Sequence, residues 1–243
     1  MVSVDRVPPL SLIDGAALFL DFDGTLVELA ESPDAIRVPA ELRPLLERLM
    51  DRLGGKLAII SGRAMDDLDR HLDTSGLALS GSHGLELRLA RGPGAPVDSP
   101  AALADARIEV LRFAAAHGLL AEEKPASIAL HFRQAPERQA EALHFMSALA
   151  ERSGLALQLG KMVVELRPPG RDKGDALRAL MAEPPFAGAR PLFMGDDLTD
   201  EDAFAAAAAM GGAGVLVGPA RTTAAEWRLD DVAAVARWLA AAA

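Results

Sequence analysis

The sequence contains no cysteine and no tyrosine, and aromatic residues make up 4% of its 243 positions. Without cysteine the chain can form no disulfide, no thiolate metal site and no thiol nucleophile. With so few aromatic side chains, alanine, leucine and valine must build most of the core, which favours numerous helices. Residues 1–6 lack the basic segment of a signal peptide, and the longest apolar stretch that follows is too short to span a bilayer.

The sequence also has little positive charge, with a formal net charge of −10 and a pI near 5.0. Such a balance argues against nucleic acid or an anionic membrane as the main partner. An anionic substrate would therefore need a metal ion or a local group of cations. We expect a soluble cytoplasmic protein, monomeric, acting on a small molecule.

Half of the residues are hydrophobic, which is enough for a substantial core, and the length allows one large domain or two modest ones. Short apolar runs alternate with segments of helical spacing, a pattern typical of a doubly wound parallel sheet covered on both faces. The predicted buried strands are residues 18–22, 56–60, 77–80, 191–194 and 214–217. The predicted helices between and after them are residues 39–53, a short segment around Leu68, 172–181, 204–210 and 232–242.

The pattern differs between residues 86 and 167. Strands there alternate polar and apolar residues, as at 85–89, 127–133, 155–159 and 162–166, and a Gly/Pro-rich turn lies at 91–100. Helical spacing covers 101–117 and 137–153. We therefore predict an α/β catalytic core from residues 1–85 and 168–243, with residues 86–167 inserted as an α+β cap domain.

Four loops that follow core elements carry unusual polar residues. The first contains Asp21 and Asp23, the second Ser61, the third Lys173 at a helix start, and the fourth Asp196 with its neighbours. In doubly wound sheets such loops gather at the carboxyl edge, where ligands bind.

These residue types suit the transfer of a phosphoryl group. A carboxylate that attacks a phosphate meets a repulsion of roughly 4 kcal/mol per charge pair at 4 Å. Mg²⁺, which prefers hard oxygen ligands, would remove that repulsion if Asp21 and Asp196 held it. Lys173 and the Ser61 hydroxyl could neutralise and hydrogen-bond the phosphoryl group, and Asp23 could protonate the departing alcohol.

Taken in order, the motifs resemble the haloacid dehalogenase superfamily of aspartate-based phosphatases, and the insertion resembles its larger class of cap. The motifs are Asp21-Phe22-Asp23-Gly24-Thr25-Leu26, Ser61-Gly62-Arg63, Lys173 and Gly195-Asp196-Asp197. More narrowly, the chain resembles the trehalose-6-phosphate phosphatase family over nearly its whole length. That resemblance is carried by residues 81–86, 161–168, 172–174 and 195–201.

The resemblance implies a role for each core residue. Asp21 would be the nucleophile that forms a phosphoaspartate, and Asp23 the acid for the sugar oxygen and then the base for water. Asp21, the Asp23 carbonyl and Asp196 would ligate Mg²⁺, with Asp197 and Asp200 supporting the metal. Ser61 and Lys173 would hold the phosphoryl group. The expected reaction is hydrolysis of trehalose 6-phosphate.

Further side chains are candidates for contact with the substrate. They are Thr25, Gly62, Arg63, His83, Glu86, Lys124, Arg133, Lys161 and Glu165. In the cap, Lys161 and Glu165 are four residues apart in one predicted strand, and His131 and Arg133 are two apart in another. Each pair therefore shares one face of its strand. Structural alternatives stay open: Ser61 could cap a helix, His83 could be a structural histidine, Arg63 could form an ion pair, and the cap face could simply be solvated.

Three other functions are compatible with parts of the pattern. The same chemistry could act on sucrose phosphate or another sugar phosphate, since specificity lies in the cap. A receiver-like signalling module also uses clustered acids, Mg²⁺ and a lysine, but is about half this length and needs no inserted domain. A catalytically silent sugar-binding domain would not need the intact Asp21, Asp23, Lys173 and Asp196.

Overall fold

The computed structural model describes residues 6–30, 35–90 and 101–243, so the predicted turn at 91–100 lies outside the described residues. These residues divide into two compact units, one from residues up to 90 and from 172 onward, the other from residues 101–171. Among the helices described, none is long and apolar enough to cross a membrane.

The first unit is built on a seven-stranded sheet. Its strands are β1 (Ala16–Leu20), β2 (Leu57–Ile60), β3 (Ala78–Gly81), β4 (Glu86–Arg88), β9 (Arg190–Gly195), β10 (Ala213–Val217) and β11 (Trp227–Leu229). Their order in the sheet is β11-β10-β9-β1-β2-β3-β4. Neighbouring strands run parallel, except that β4 is antiparallel to β3.

Helices cover both faces of this sheet because its central strands are apolar on both sides. The helices are α1 (Leu42–Leu53), α2 (Met65–His71), α5 (Lys173–Met181), α6 (Glu201–Ala209) and α7 (Val232–Ala241). In β1, Leu18 and Leu20 pack in a core with α1, α2 and α7, whereas Ala17 and Phe19 pack in a second core with α5 and α6. This confirms the predicted doubly wound α/β fold.

The order of the strands places a switch point at β1. The chain moves from β1 to β2 and β3 on one side, then returns to β9, β10 and β11 on the other. Loops that leave β1 and β9 therefore diverge at the carboxyl edge, which is where open α/β sheets bind ligands.

The second unit is a four-stranded antiparallel sheet with two helices. The strands are β5 (Leu120–Lys124), β6 (Ser127–His131), β7 (Ala156–Gly160) and β8 (Val163–Arg167), in the order β5-β6-β8-β7. The helices are α3 (Ala101–His117) and α4 (Gln139–Ser153). Residues Ile128, Leu130, Val164 and Leu166 of one sheet face pack in a core with both helices, leaving the alternate residues on the other face.

The architecture differs from the sequence-based predictions in three ways. Strand β4 pairs with β3 in the first unit, so the predicted start of the insertion at residue 86 is wrong. Lys161 lies in the turn before β8 rather than in the strand, because Met162 adopts a φ of 63°. Strands β5 and β11 were not expected, since neither has a clean alternation of polar and apolar residues.

Candidate active site

Two acids lie at the carboxyl ends of neighbouring parallel strands. Leu20 of β1 is in register with Met194 of β9, and the backbone N–H of Asp21 donates to the Met194 carbonyl at 2.9 Å. Asp21 directly follows β1, and Asp196 directly follows β9. The sheet thus brings together two carboxylates that are far apart in sequence, as the four-loop pattern predicts.

A third acid completes a buried group of carboxylates. One oxygen each from Asp21, Asp196 and Asp200 lie within 4.8 Å of one another, and all three residues are buried. The ammonium of Lys173 donates to Asp21 Oδ1 at 2.8 Å and to Asp200 Oδ1 at 2.6 Å. These four side chains, which we call the acid cluster, combine three negative charges with one positive charge.

The conformation of Gly24 permits this close approach. Its φ is +77°, and a Cβ built there would lie 2.2 Å from Asp196 Oδ2. Any other residue would be strained and would push the Asp196 carboxylate away from Asp21. The glycine of the first motif is therefore needed for the geometry of the acid cluster.

The electrostatics of the acid cluster favour a bound cation. Burial raises the pKa of Asp21 well above its ordinary value, and the charges of Asp200 and Asp196 act in the same direction, with Lys173 opposing them. Burial alone would lower the pKa of Lys173, but Asp200 and Asp21 raise it above its ordinary value. Lys173 therefore stays charged while the carboxylates retain an excess of negative charge.

The donor set fits a hard divalent cation. Asp21, Asp196 and Asp200 offer carboxylate oxygens, which Mg²⁺ prefers, and a cation would offset their mutual repulsion. The Asp23 carboxylate lies outside the group. So does Asp197, whose side chain accepts from the Leu198 N–H at 2.7 Å, while Asp200 Oδ2 accepts from the Asp197 N–H at 2.8 Å.

This exchange of hydrogen bonds is a capping box at the 3₁₀ turn Leu198–Asp200. It fixes the loop after β9 and leaves Asp200 Oδ1 for Lys173. Asp197 thus supports the loop, and Asp200, which was expected only to assist, belongs to the acid cluster itself.

Asp23 is held by a different partner. Arg63 donates to Asp23 from Nε at 2.6 Å and from Nη2 at 2.9 Å, a bidentate ion pair. The Asp23 side chain is 28% exposed, so solvent reaches it, whereas the Asp21 side chain is 5% exposed. Two acids separated by one residue therefore occupy distinct environments.

The loop after β2, which contains Ser61, contacts the end of β3 and the loop that follows it. Ser61 is buried, its N–H donates to the Ser80 carbonyl, and its hydroxyl oxygen accepts from the Arg63 N–H at 3.1 Å. The hydroxyl proton can still be donated, as a phosphoryl contact requires. Ser61 does not cap α2, whose N-cap is Ala64.

His83 packs directly on this loop. A Cβ on Gly62 would lie 2.5 Å from His83 Cε1 and Nε2, so only glycine fits beneath the imidazole. His83 itself has a φ of 54°, and its N–H donates to the Ser61 carbonyl at 3.0 Å. Thr25 is completely buried, and its hydroxyl has no hydrogen-bond partner among the described residues.

Glu86 lies at the start of β4 in the first unit. Its carboxylate is buried, accepts from the Met65 N–H at 3.2 Å at the start of α2, and accepts from the Ser82 hydroxyl. These contacts hold the loop after β3. Contact between Glu86 and the substrate stays a prediction.

The sheet of the second unit presents one polar face. The register places Glu122, Ala129, Glu165 and Gln158 in a single row across β5, β6, β8 and β7. Lys124 Nζ donates to Glu165 at 2.9 Å, and His131 Nε2 donates to Glu122 at 2.9 Å. We call the four side chains of these two pairs, Glu122, Lys124, His131 and Glu165, the paired row.

The paired row differs in part from the expected set. Lys124 and Glu165 belong to it, whereas Lys161 is exposed in the turn. Arg133 lies beyond the end of β6 and donates to the Lys161 carbonyl at 3.2 Å. Glu122 was missed, since β5 itself was not expected and only the register with Ala129 places it on this face.

The pKa of Glu122 reflects its partners. Burial alone would raise the pKa of Glu122, but the hydrogen bond from His131 and the charges of Lys124 and His131 lower it below its ordinary value. Its carboxylate is thus stabilised in the ionised form. The paired row consists of acids matched with bases, and so does not require a further cation.

Comparisons with known proteins find relatives that match most of the chain. The trehalose-phosphatase family model matches residues 19–233. A probable trehalose-phosphate phosphatase of Sinorhizobium fredii is 42% identical over 213 residues, covering 85% of this chain and 79% of that protein. The trehalose-6-phosphate phosphatase of Escherichia coli is 40% identical over 226 residues, covering 92% of this chain and 85% of that protein.

Solved structures share the fold. The C-terminal domain of Candida albicans trehalose-6-phosphate phosphatase superposes with a TM-score of 0.86 at 22% identity, covering 100% of this chain and 99% of that one. A phosphatase of the haloalkanoate (HAD) superfamily from Bacteroides thetaiotaomicron gives a TM-score of 0.63 at 18% identity, covering 93% and 94%. At these identities the likeness concerns the fold alone.

Proposed function

The chain belongs to the trehalose-phosphatase family, and from that premise we propose that it hydrolyses trehalose 6-phosphate to trehalose and inorganic phosphate. Membership confirms the resemblance drawn from the sequence motifs and the prediction of a phosphoric monoester hydrolase. The substrate, the metal and the role of each residue are the parts that we propose.

The observation that carries the proposal is the pairing of two unlike acids on one loop. Asp21 lies in the acid cluster beside Lys173, and Asp23 lies against Arg63. A phosphoaspartate mechanism needs one carboxylate that attacks and another that moves a proton. The short spacing and separate partners of Asp21 and Asp23 meet both requirements.

In the first step, an oxygen of Asp21 attacks phosphorus and the bond from phosphorus to the sugar oxygen breaks. Asp23, which carries the proton taken from water in the preceding cycle, donates that proton to the sugar oxygen, so the sugar leaves as a neutral alcohol. Lys173, held against Asp21 at 2.8 Å, would neutralise charge on the transferring group. The Ser61 hydroxyl would donate a hydrogen bond to it.

In the second step, water attacks phosphorus and the bond to Asp21 breaks, while Asp23 accepts the proton of the water. Both Asp23 oxygens accept from Arg63, which is the arrangement of an ionised carboxylate. Each oxygen keeps a second lone pair for the proton. A bound divalent cation, held by Asp21, Asp196 and Asp200, would supply charge neutralisation for an anionic nucleophile and an anionic substrate.

The paired row would read the sugar. Glu122, Lys124 and Glu165 offer acceptors and donors on one sheet face, and trehalose is covered with hydroxyl groups that need both. The predicted sugar contacts at Lys161 and Arg133 stay predictions. The expected cytoplasmic location and monomeric state also stay predictions.

A substrate panel tests the proposal. Purified protein is assayed with trehalose 6-phosphate, sucrose 6-phosphate, glucose 6-phosphate and 4-nitrophenyl phosphate, each with and without Mg²⁺. We expect kcat/KM to be highest for trehalose 6-phosphate and to need Mg²⁺. A higher value for sucrose 6-phosphate would replace the substrate and keep the chemistry. A stable phosphoprotein without alcohol release would instead support the signalling alternative.

A further inference from the structure

Asp67, in the first turn of α2, is a buried acid for which the mechanism above has no use. The residue is 7% exposed. Its Oδ2 accepts from Arg63 Nη1 at 2.5 Å, and its Oδ1 accepts from Arg70 Nη2 at 2.7 Å. His71 Nε2 lies 3.5 Å from the same Oδ1. A buried carboxylate with this many basic neighbours needs an explanation.

Arg63 joins Asp67 to Asp23. Its Nε and Nη2 donate to the two oxygens of Asp23, while Nη1 donates to Asp67. The Arg63 side chain is 9% exposed, so it is held between the two acids rather than extended into solvent. The guanidinium also lies over the Phe22 ring, 5.9 Å from its centroid.

A guanidinium is planar, and its donors have a fixed fork geometry. When Nη1 is held from α2, rotation of the fork about its own axis is restricted. The orientation and position of the Asp23 carboxylate are then set by α2 as well as by the loop after β1. Since Asp23 is partly exposed, its own surroundings would otherwise leave it several rotamers.

We propose that Asp67 is a positioning residue that, through Arg63, holds the Asp23 carboxylate where it transfers a proton to the leaving group. Asp67 touches neither the substrate nor the reacting atoms. This inference rests on the proposed role of Asp23 but not on the identity of the sugar, because any phosphate monoester needs the same alignment.

Asp66 provides a matched control. It lies beside Asp67 in the same first turn of α2, so both acids interact similarly with the helix dipole. Asp66 is exposed, whereas Asp67 is buried against Arg63. Replacing either by alanine removes one negative charge from the same turn, and only Asp67→Ala releases Arg63.

The experiment measures kcat/KM for a series of substituted phenyl phosphates whose phenols differ in acidity. This ratio reports steps up to the first irreversible one, which is the transfer of the phosphoryl group to Asp21. A phenol that leaves readily needs little help from an acid, whereas a poor leaving group depends on Asp23. No sugar-binding contact enters the comparison.

For Asp67→Ala we expect a steeper dependence on leaving-group acidity than in the wild type. The loss for the poorest leaving group should exceed the loss for 4-nitrophenyl phosphate by about tenfold, part of the ~10²–10⁴-fold that general acids supply. Asp66→Ala should keep the wild-type slope. Arg63→Lys, which keeps the charge and lacks the fork, should show the steeper slope as well.

Equal losses across the series for Asp67→Ala would overturn the proposal, since a merely structural defect lowers every rate by one factor. If Asp67→Ala does not fold, Arg63→Lys decides by the same criterion, and a wild-type slope there is the contrary result. A wild-type enzyme that cleaves aryl phosphates but not trehalose 6-phosphate would overturn the proposed function alone.

Discussion

Carboxylates gather in both units of the molecule, but the acid cluster and the paired row have opposite electrostatics. In the acid cluster, burial and the neighbouring acids raise the pKa of Asp21 well above its ordinary value. In the paired row, burial acts in the same direction on Glu122, yet the bond from His131 and the charge of Lys124 lower its pKa. Burial and like charges thus dominate the pKa of Asp21, whereas basic partners outweigh burial at Glu122.

The difference comes from how the charges are balanced. Three carboxylates in the acid cluster share Lys173, so negative charge remains in excess until a cation binds. In the paired row Glu165 is matched with Lys124 and Glu122 with His131. The first arrangement suits binding of a metal and a phosphate, and the second suits binding of a neutral, hydroxyl-rich group. The following predictions test this contrast.

The largest effect should come from Asp21→Asn, because it removes the proposed nucleophile. Turnover of every phosphate substrate should fall by about three orders of magnitude or more. The metal-free protein should nevertheless become more stable, by on the order of 1 kcal/mol, since a buried charge that repels its neighbours is gone. Urea unfolding followed by tryptophan fluorescence reports this, as Trp227 and Trp238 both lie in the first unit.

Asp23→Asn is the matched contrast two residues along the same loop. It should also lower turnover, but it breaks the bidentate pair with Arg63 and should therefore destabilise the protein. If both variants changed stability in the same direction, the charge excess assigned to the acid cluster would be wrong.

Removal of divalent cations should have the next largest effect. EDTA should abolish turnover of both sugar and aryl phosphates, and Mg²⁺ should restore it. In the absence of substrate, Mg²⁺ at about 100 times its Kd should stabilise the wild type by about 2.7 kcal/mol. The urea midpoint of Asp200→Asn should respond less to Mg²⁺ because one carboxylate of the acid cluster is lost. An equal response in both proteins would place the metal elsewhere.

Glu165→Gln should have a smaller and more selective effect, because it keeps the shape of the paired row and removes one charge. We expect kcat/KM for trehalose 6-phosphate to fall on the order of 10- to 100-fold, the range for a hydrogen bond to a charged group. Turnover of 4-nitrophenyl phosphate should be largely spared.

Glu123→Gln is the control for this variant. Glu123 is exposed and opposite Ile128, on the sheet face away from Glu165. It should leave both substrates unaffected. A loss on both substrates for Glu165→Gln would show that this residue supports the fold rather than sugar recognition.

The acid cluster was the more predictable of the two regions. Its residues follow strands whose apolar runs are easy to recognise, and the rule that ligands bind at the carboxyl edge brings the loops together. The proximity of Asp21, Lys173 and Asp196 could therefore be predicted from the sequence. Asp200 was expected only to support the metal, because it is one of several acids at the start of a helix, where acids are favourable for structural reasons alone.

The paired row could be predicted only in part because cross-strand register determines its members. The turn before β8 lies one residue later than expected, which leaves Lys161 outside the strand, and the charged sequence of β5 hid Glu122. The predicted start of the insertion failed for a related reason: β4 alternates like a cap strand but pairs with β3. Sequence periodicity indicates that a strand exists, but does not identify its neighbours.

The smallest effect should be on the pH dependence of stability. Here a variant of the acid cluster and a variant of the paired row should differ from the wild type in opposite directions. Without metal, Asp21→Asn should exceed the wild type in stability at neutral pH. This advantage should begin to shrink as pH falls through the raised pKa of Asp21, where the wild type gains its proton, and should be gone below the ordinary value of 3.8. Glu122→Gln should instead be less stable than the wild type, by about 1 kcal/mol. That deficit should persist down to the ordinary value of 4.5 and disappear only as pH falls through the lowered pKa of Glu122. Pulse-labelling hydrogen exchange during urea unfolding, which resolves β6 from β9, measures each unit separately. If both variants differed from the wild type in stability with the same sign, the contrast between unbalanced charge in the acid cluster and balanced charge in the paired row would be wrong. The same would follow if the deficit of Glu122→Gln disappeared already above pH 4.5.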